Sequence, residues 1–215
     1  MNKQLIAIII VVILGLFGIL MLTKKDDPKR NNSQNTQSQG SNHTSGTGKK
    51  GVTLVEFGDF QCPACKSYFP IVKEIKAAYG DDIVFQFRHF PLTQIHANAT
   101  ISSRAAEAAG KQGKFFEMHD LLYENQDSWA QQENPTSVFE SYATQLGLKM
   151  DQFKTDMADG GTLAVINADQ KIGQGLGANS TPTFAINGKK IEKNPASLED
   201  FKKLIDDAIA SSGKQ

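Results

Sequence analysis

The sequence predicts an α/β domain with a helical segment inserted into it. Three observations predict this. A strand-like run, Val52 to Phe57, passes through a short loop into a helix-like stretch from Cys62 to Tyr79, which Gly80 ends. A second strand-like run follows at once, Ile83 to Phe90, with Phe85 and Phe87 alternating onto one face. From about Ala97 to Leu176 the pattern is helical, and strand character returns only at Thr183 to Ile186. The order strand, helix, strand, helical block, hairpin, helix is an α/β layout.

The ends of the chain follow the same reading. Leu5 to Leu22 is an uncharged apolar run preceded by Lys3. At about 1.5 Å per residue it is just long enough for a hydrocarbon core of about 30 Å. We read residues 1–23 as a transmembrane anchor, because no A-x-A-like cleavage site follows; a cleaved signal segment is the alternative. Lys24, Lys25, Lys29 and Arg30 favour a cytoplasmic downstream side by the positive-inside rule. The chemistry below favours the outside, and the outside is the expectation adopted. Residues 24–50 are polar with almost nothing apolar, so they are expected to be a disordered linker reaching roughly 30 Å. His43 falls in this linker and is given no role. Ordered structure is expected over 51–211, with the helical insertion at about 95–178.

Within the insertion, Val138, Phe139, Tyr142 and Leu146 share one helical face, as do Met150, Phe153 and Met157. Asn187-Gly188 is a hairpin-turn signal leading into Lys189 to Glu192. Ser197 with Asp200 three residues on resembles a capping box, and Leu198, Phe201, Leu204, Ile205, Ala208 and Ile209 then form one apolar face.

Lys plus Arg and Asp plus Glu are both 23, so charge gives no reason to expect nucleic acid as a partner. The two cysteines, Cys62 and Cys65, are too few for an all-thiolate zinc site or an iron–sulfur cluster. A C-x-x-C bridge closes almost no loop, so it calls for a chemical explanation. At the start of a helix, Cys62 meets unpaired N–H groups and the positive end of the helix dipole, which favour its thiolate. Cys65 lies one turn further in and can attack a mixed disulfide on Cys62. Pro63 suits the first helical turn, where a missing N–H costs nothing. A structural bridge or half of an intersubunit metal site are the alternatives.

Glu56 interrupts an apolar strand. If buried, its carboxyl has a raised pKa and can exchange a proton near neutrality; an exposed place on an edge strand is the alternative. Asp59 fits a turn or cap. Pro182 opens the later strand, where proline is ordinarily a trans boundary marker.

Val55-Glu56-Phe57-Gly58-Asp59-Phe60-Gln61-Cys62-Pro63-Ala64-Cys65-Lys66 and Ser180-Thr181-Pro182-Thr183-Phe184, with Ile186-Asn187-Gly188-Lys189, carry a resemblance. So do Pro70 and the stretch Gln112 to Asp120. The chain resembles the thioredoxin superfamily, and within it the DsbA-like, BdbD-like thiol–disulfide oxidoreductases. The resemblance implies a thioredoxin-like fold, Cys62 as the attacking and leaving cysteine, and Cys65 as the resolving one. It implies a cis Pro182 facing the pair, Thr181 offering backbone groups to a substrate strand, and Pro63 and Ala64 meeting substrate. Glu56 matches the family's buried acid. Strong oxidants of the family often carry His where Ala64 stands, and Gln86 falls nearest the place of a lysine that thioredoxins keep near the acid.

The expected activity is dithiol–disulfide exchange. The enzyme would donate disulfides to folding extracytoplasmic proteins with free cysteines, with no cofactor, and be reoxidised by a DsbB-like membrane protein. A reductase or isomerase is the alternative within the class, and a tethered binding module with an inert bridge the alternative outside it. A membrane-anchored monomer is expected. No metal is expected: no acidic cluster suggests calcium, and His89, His96 and His119 have no metal spacing.

Overall fold

The strand that carries Glu56 lies at the centre of the sheet. The structure, a computed structural model, describes residues 40–213. The sheet has the order β1-β3-β2-β4-β5, with β1 at His43–Ser45, β2 at Val52–Gly58, β3 at Ile83–His89, β4 at Thr183–Ile186 and β5 at Lys189–Lys190. Helix α1, Pro63–Tyr79, crosses between the parallel strands β2 and β3. The inserted helices are α2 at Ala99–Gly110, α3 at Phe115–Glu124, α4 at Gln126–Trp129, α5 at Thr136–Gln145, α6 at Met150–Ala158 and α7 at Gly160–Gly175. Helix α8, Leu198–Ser212, closes the chain. This is the thioredoxin-like α/β arrangement with its helical insertion between β3 and β4.

Alternation along the strands divides the core. Leu54, Phe85 and Phe87 face one side with Phe184, Phe201 and Ile205. Val55, Phe57, Phe90 and Ala185 face the other. Helix α7 covers this second face closely at Gly173, where a Cβ would come within 2.8 Å of the Phe90 ring and 2.9 Å of Phe57. The hairpin turn is as the sequence predicts, with Asn187 and Gly188 both at positive φ, 48° and 76°. Ser197 caps α8, its hydroxyl accepting the Asp200 N–H at 3.2 Å. Phe139, Tyr142, Phe153 and Met157 are buried from α5 and α6 as expected.

One boundary needs correcting. Order does not wait for Gly51: residues 40–50 are placed, and β1 pairs antiparallel with β3, His43 opposite Phe87 and Ser45 opposite Phe85. The sequence hides this because the segment has nothing apolar to bury. Polar groups hold it instead. Asp169 on α7, fully buried, accepts from Ser41 N at 2.9 Å, Ser41 Oγ at 2.5 Å and His89 N at 3.0 Å, and pairs with Arg88 at 2.6 Å. His43, given no role above, stacks on Phe115 and bonds Glu107 at 2.6 Å. The expected anchor at 1–23 and linker residues 24–39 lie outside the described residues. No helix among the described residues is long and apolar enough to cross a membrane.

Replacing Asp169 with Ala strands a partly buried guanidinium and three polar donors. Asp169→Ala is expected to lose about 3 kcal/mol of stability in urea unfolding. A loss under about 1 kcal/mol would show that this carboxylate does not hold the amino-terminal segment.

Candidate active site

Cys62 is the N-cap of α1, in extended backbone with φ −71° and ψ 121°. Its N–H donates to Asp59 O at 3.0 Å, and its carbonyl accepts the Lys66 N–H at 3.1 Å, the first bond of the helix. Pro63 stands at the helix start and no acidic side chain occupies the first turn, so nothing there opposes a negative sulfur. Lys66 turns away to Asp127 at 2.6 Å.

The loop before Cys62 is held from three sides. Asp59, fully buried, accepts the N–H of Gln61 at 2.8 Å and of Leu92 at 2.9 Å, and bonds His96 Nδ1 at 2.7 Å. It therefore has the turn role read from the sequence. Gln61 reaches into the insertion, donating to Ala130 O at 2.6 Å and accepting Asn98 N–H at 2.5 Å. Gln126 on α4 donates to Phe60 O at 2.7 Å and Cys62 O at 3.0 Å. Sequence reading missed both glutamines, since nothing in a glutamine's type or spacing announces a backbone clamp.

Both cysteines are free thiols, so this is the reduced form. The cysteine sulfurs differ sharply. Cys62 keeps 6% of its surface and Cys65 none. The hydrogen bond from the Cys65 thiol holds the Cys62 pKa down at about 5, against burial; Thr181 and the N–H groups of Cys65 and Ala64 add to it. Cys65 is pushed well up, chiefly by burial, then by its hydrogen bond to Cys62 and the nearby charge of Glu56. At neutral pH Cys62 is the thiolate and Cys65 the thiol.

Opposite the pair, the Thr181–Pro182 bond is cis and Thr181 O lies 3.4 Å from Cys62 Sγ. β4 begins one residue later and pairs with β2 through Thr183 and Phe57, which sets this turn beside the helix start. Pro63 and Ala64 are exposed, while Thr181 and Pro182 are buried. A cleft of about 550 Å³ runs beside Pro63 between Ser67 and Gln131.

Glu56 is 2% exposed, on the central strand and not an edge. Burial raises its pKa to about 8, Lys76 works against this, and the Cys62 charge adds to it. Gln86 is not the neighbour of this acid. It pairs with Val55 in the register, so its side chain faces the opposite side of the sheet, where it donates to Ser41 O at 3.4 Å. The cation comes from α1: Lys76, half-buried, with Nζ 4.2 Å from the Phe116 ring centre. Strand spacing could not find a residue supplied by a neighbouring helix.

The three histidines outside the linker are all engaged. His89 and His43 converge on one Glu107 oxygen at 2.8 and 2.6 Å. Tetrahedral zinc, with bonds of about 2.0–2.2 Å, would hold its ligands about 3.3 Å apart. The observed spacing is that of two hydrogen bonds. Burial pushes Glu107 up, but these bonds outweigh it and hold its pKa at about 2.

A family model described as thioredoxin matches residues 38–207, and the chain belongs to that family. Among solved structures, BdbD from Bacillus subtilis superposes with a TM-score of 0.68 at 24% identity, over 78% of this chain and 92% of that one. A thioredoxin-like oxidoreductase from Silicibacter pomeroyi gives 0.64 at 24%, over 77% and 91%. The fold is thus the thioredoxin-like one that these two proteins share, with a free cysteine pair at the start of α1. The Na(+)/H(+) antiporter NhaA 3 of Salinispora tropica is 34% identical over 195 residues, which are 91% of this chain and 27% of that protein. The chain thus spans about a quarter of that relative's length.

Alkylation of the reduced protein should follow the Cys62 thiolate, with a midpoint near pH 5 and Cys65 unlabelled until the chain unfolds. A midpoint above pH 8 would remove the activated thiol. Glu56, protonated in the fold up to about pH 8 but ionised when unfolded above about 4.5, makes stability fall as pH rises between those values. Urea unfolding of Glu56→Gln should show this slope removed, leaving the variant more stable than the parent at pH 8. An unchanged slope would mean that Glu56 is not a buried neutral acid.

Proposed function

We propose that this chain is a membrane-anchored, extracytoplasmic oxidoreductase that donates disulfides to folding proteins. One observation carries the reading: the Cys62 thiolate is stabilised beside a Cys65 kept protonated. A pair whose reduced form is stabilised in this way is oxidising, because it gives its disulfide away to reach that form.

In the reaction a substrate thiolate attacks Cys62 Sγ of the oxidised pair. The Cys62–Cys65 bond breaks, Cys65 leaves with the electron pair, and Glu56 supplies it with a proton. A second substrate thiolate then attacks the substrate sulfur of the mixed disulfide and expels the Cys62 thiolate, a good leaving group at its low pKa. Two electrons pass from substrate to enzyme. The exposed Pro63 and Ala64 and the backbone of Thr181 are the surface for an extended substrate segment, which would pair as an added strand. Reoxidation falls to a DsbB-like membrane protein, with the apolar run at Leu5 to Leu22 holding this monomeric domain near it. The Ala64 side chain adds no donor to the thiolate, so the oxidant is expected to be weaker than one with His at that place.

Equilibration with glutathione buffers tests the direction. The potential is expected between about −120 mV and about −270 mV. A value below about −270 mV would make the chain a reductase, drawing electrons from across the membrane.

A further inference from the structure

We propose that Tyr123 and His119, on one face of α3, relay protons between the buried Glu56 and the surface carboxylate of Asp120 during disulfide exchange. The proposal rests on the reading of Glu56 as the acid that protonates Cys65.

That reading leaves a need unmet. Opening the disulfide puts a thiolate on Cys65, which has no exposed surface, and Glu56 discharges it only by becoming a buried carboxylate itself. Glu56 must regain a proton from solvent, and at 2% exposure it cannot do so directly. The proton has to cross the protein.

Three buried polar atoms mark a route. Glu56 Oε1, Tyr123 Oη and His119 Nε2 each have no hydrogen-bond partner among the described residues. Buried polar atoms of this kind are ordinarily bridged by ordered water. Tyr123 Oη lies against Gly58, on the strand face that Glu56 shares two residues earlier; a Cβ there would stand 3.0 Å from the hydroxyl and 2.5 Å from the Phe87 ring. Glycine at 58 admits the phenol to this face. A phenylalanine at 123 would fill the same space without a buried hydroxyl to satisfy. His119 is one turn back on α3, its ring 5.0 Å from that of Tyr123 and nearly perpendicular. Its Nδ1 bonds Asp120 Oδ1 at 2.8 Å, and Asp120 is 32% exposed. Tyr123 and His119 pack with Phe60 and Phe87 on this face, and Asp120 carries it to solvent.

Each transfer balances. Glu56 gives its proton to the Cys65 sulfur. The inward run starts from the oxidised enzyme with His119 protonated on Nε2 and Asp120 protonated from solvent. Tyr123 passes its hydroxyl proton to Glu56 and takes one from Nε2, and Nδ1 takes the Asp120 proton, leaving the Nδ1–H bonded to the Asp120 carboxylate as in the reduced form. The phenol and the imidazole end neutral. Oxidation of the pair runs the line outward. Lys76 acts on Glu56, His119 and Asp120, Lys73 on Asp120, and His89 on His119. Cys65, Glu56, Asp59 and Cys62 act on Tyr123. Burial keeps the phenol protonated and the imidazole neutral at rest, and the charges of Asp59 and Cys62 add to the effect on the phenol.

The test uses the full chain with dithiothreitol as reductant, following reduction of the Cys62–Cys65 bond by rapid quenching and thiol alkylation from pH 6 to 9. Tyr123→Phe and His119→Gln should each slow reduction by about tenfold. The slowing should grow with pH, as solvent protons become scarce, and add nothing to Glu56→Gln. The Cys62 thiolate titration, read at 240 nm, should stay in place. Wild-type rates in both relay variants, with Glu56→Gln slow, would overturn the relay and leave the Glu56 reading standing. A wild-type rate in Glu56→Gln would remove both. Slowing that adds to that of Glu56→Gln, or comes with a displaced Cys62 titration, would mean that the two rings only pack. If Tyr123→Phe melts, His119→Gln with an unchanged melting temperature decides the outcome.

Discussion

A negative sulfur held at the start of a helix is the constraint around which the rest is arranged. The Cys62 thiolate needs the N–H groups of α1, a donor from Cys65 and the neighbouring Thr181, and it needs them against the penalty of its own burial. The helix start is local and comes with the sequence. Cys65 comes one turn along the same helix, whereas the contribution of Thr181 depends on strands β2 and β4 lying side by side, because only their register sets Thr181 and Pro182 opposite the first turn of α1. The same burial that would weaken the Cys62 thiolate keeps Cys65 neutral, so one environment divides two identical side chains into a leaving group and a resolving thiol.

The helical insertion has a larger part in this site than that of a cover. Gln126 binds two carbonyls of the active-site loop, Gln61 runs the other way into the insertion, and Asp127 draws Lys66 off. The loop before Cys62 is therefore fixed by groups that come from both sides of it, with Asp59 tying it to the turn after β3. On α3, Tyr123 and His119 bring polar atoms against an otherwise aromatic interior. Buried polarity of that kind is costly unless something uses it.

Two buried carboxylates, Asp169 and Glu107, hold residues 41–43 on the outer edge of the sheet. β1 shields an edge of β3 that would otherwise present unpaired backbone groups. It also makes residue 40 onward part of the domain, so any connection to the membrane begins further up the chain than the composition of residues 24–50 suggests.

The sequence by itself determined what depends on short spacing. Apolar alternation placed β2 and β3, the 3.6-residue period placed the helices of the insertion, and Asn187-Gly188 placed the hairpin, since each is a property of consecutive residues. The C-x-x-C pair at a strand-to-helix junction defined the chemistry for the same reason. Tertiary structure alone decided where polar residues find partners. His43 looked idle because Glu107 and Phe115 are distant in sequence. Gln86 stood nearest the expected lysine along the strand, yet strand alternation turns it to the far face and Lys76 arrives from α1. Gln126 shows no role until its helix packs beside the loop. A hydrophobic face is written in one stretch of chain and can be read there, whereas a buried hydrogen bond or a perturbed acid exists only between stretches that the fold brings together.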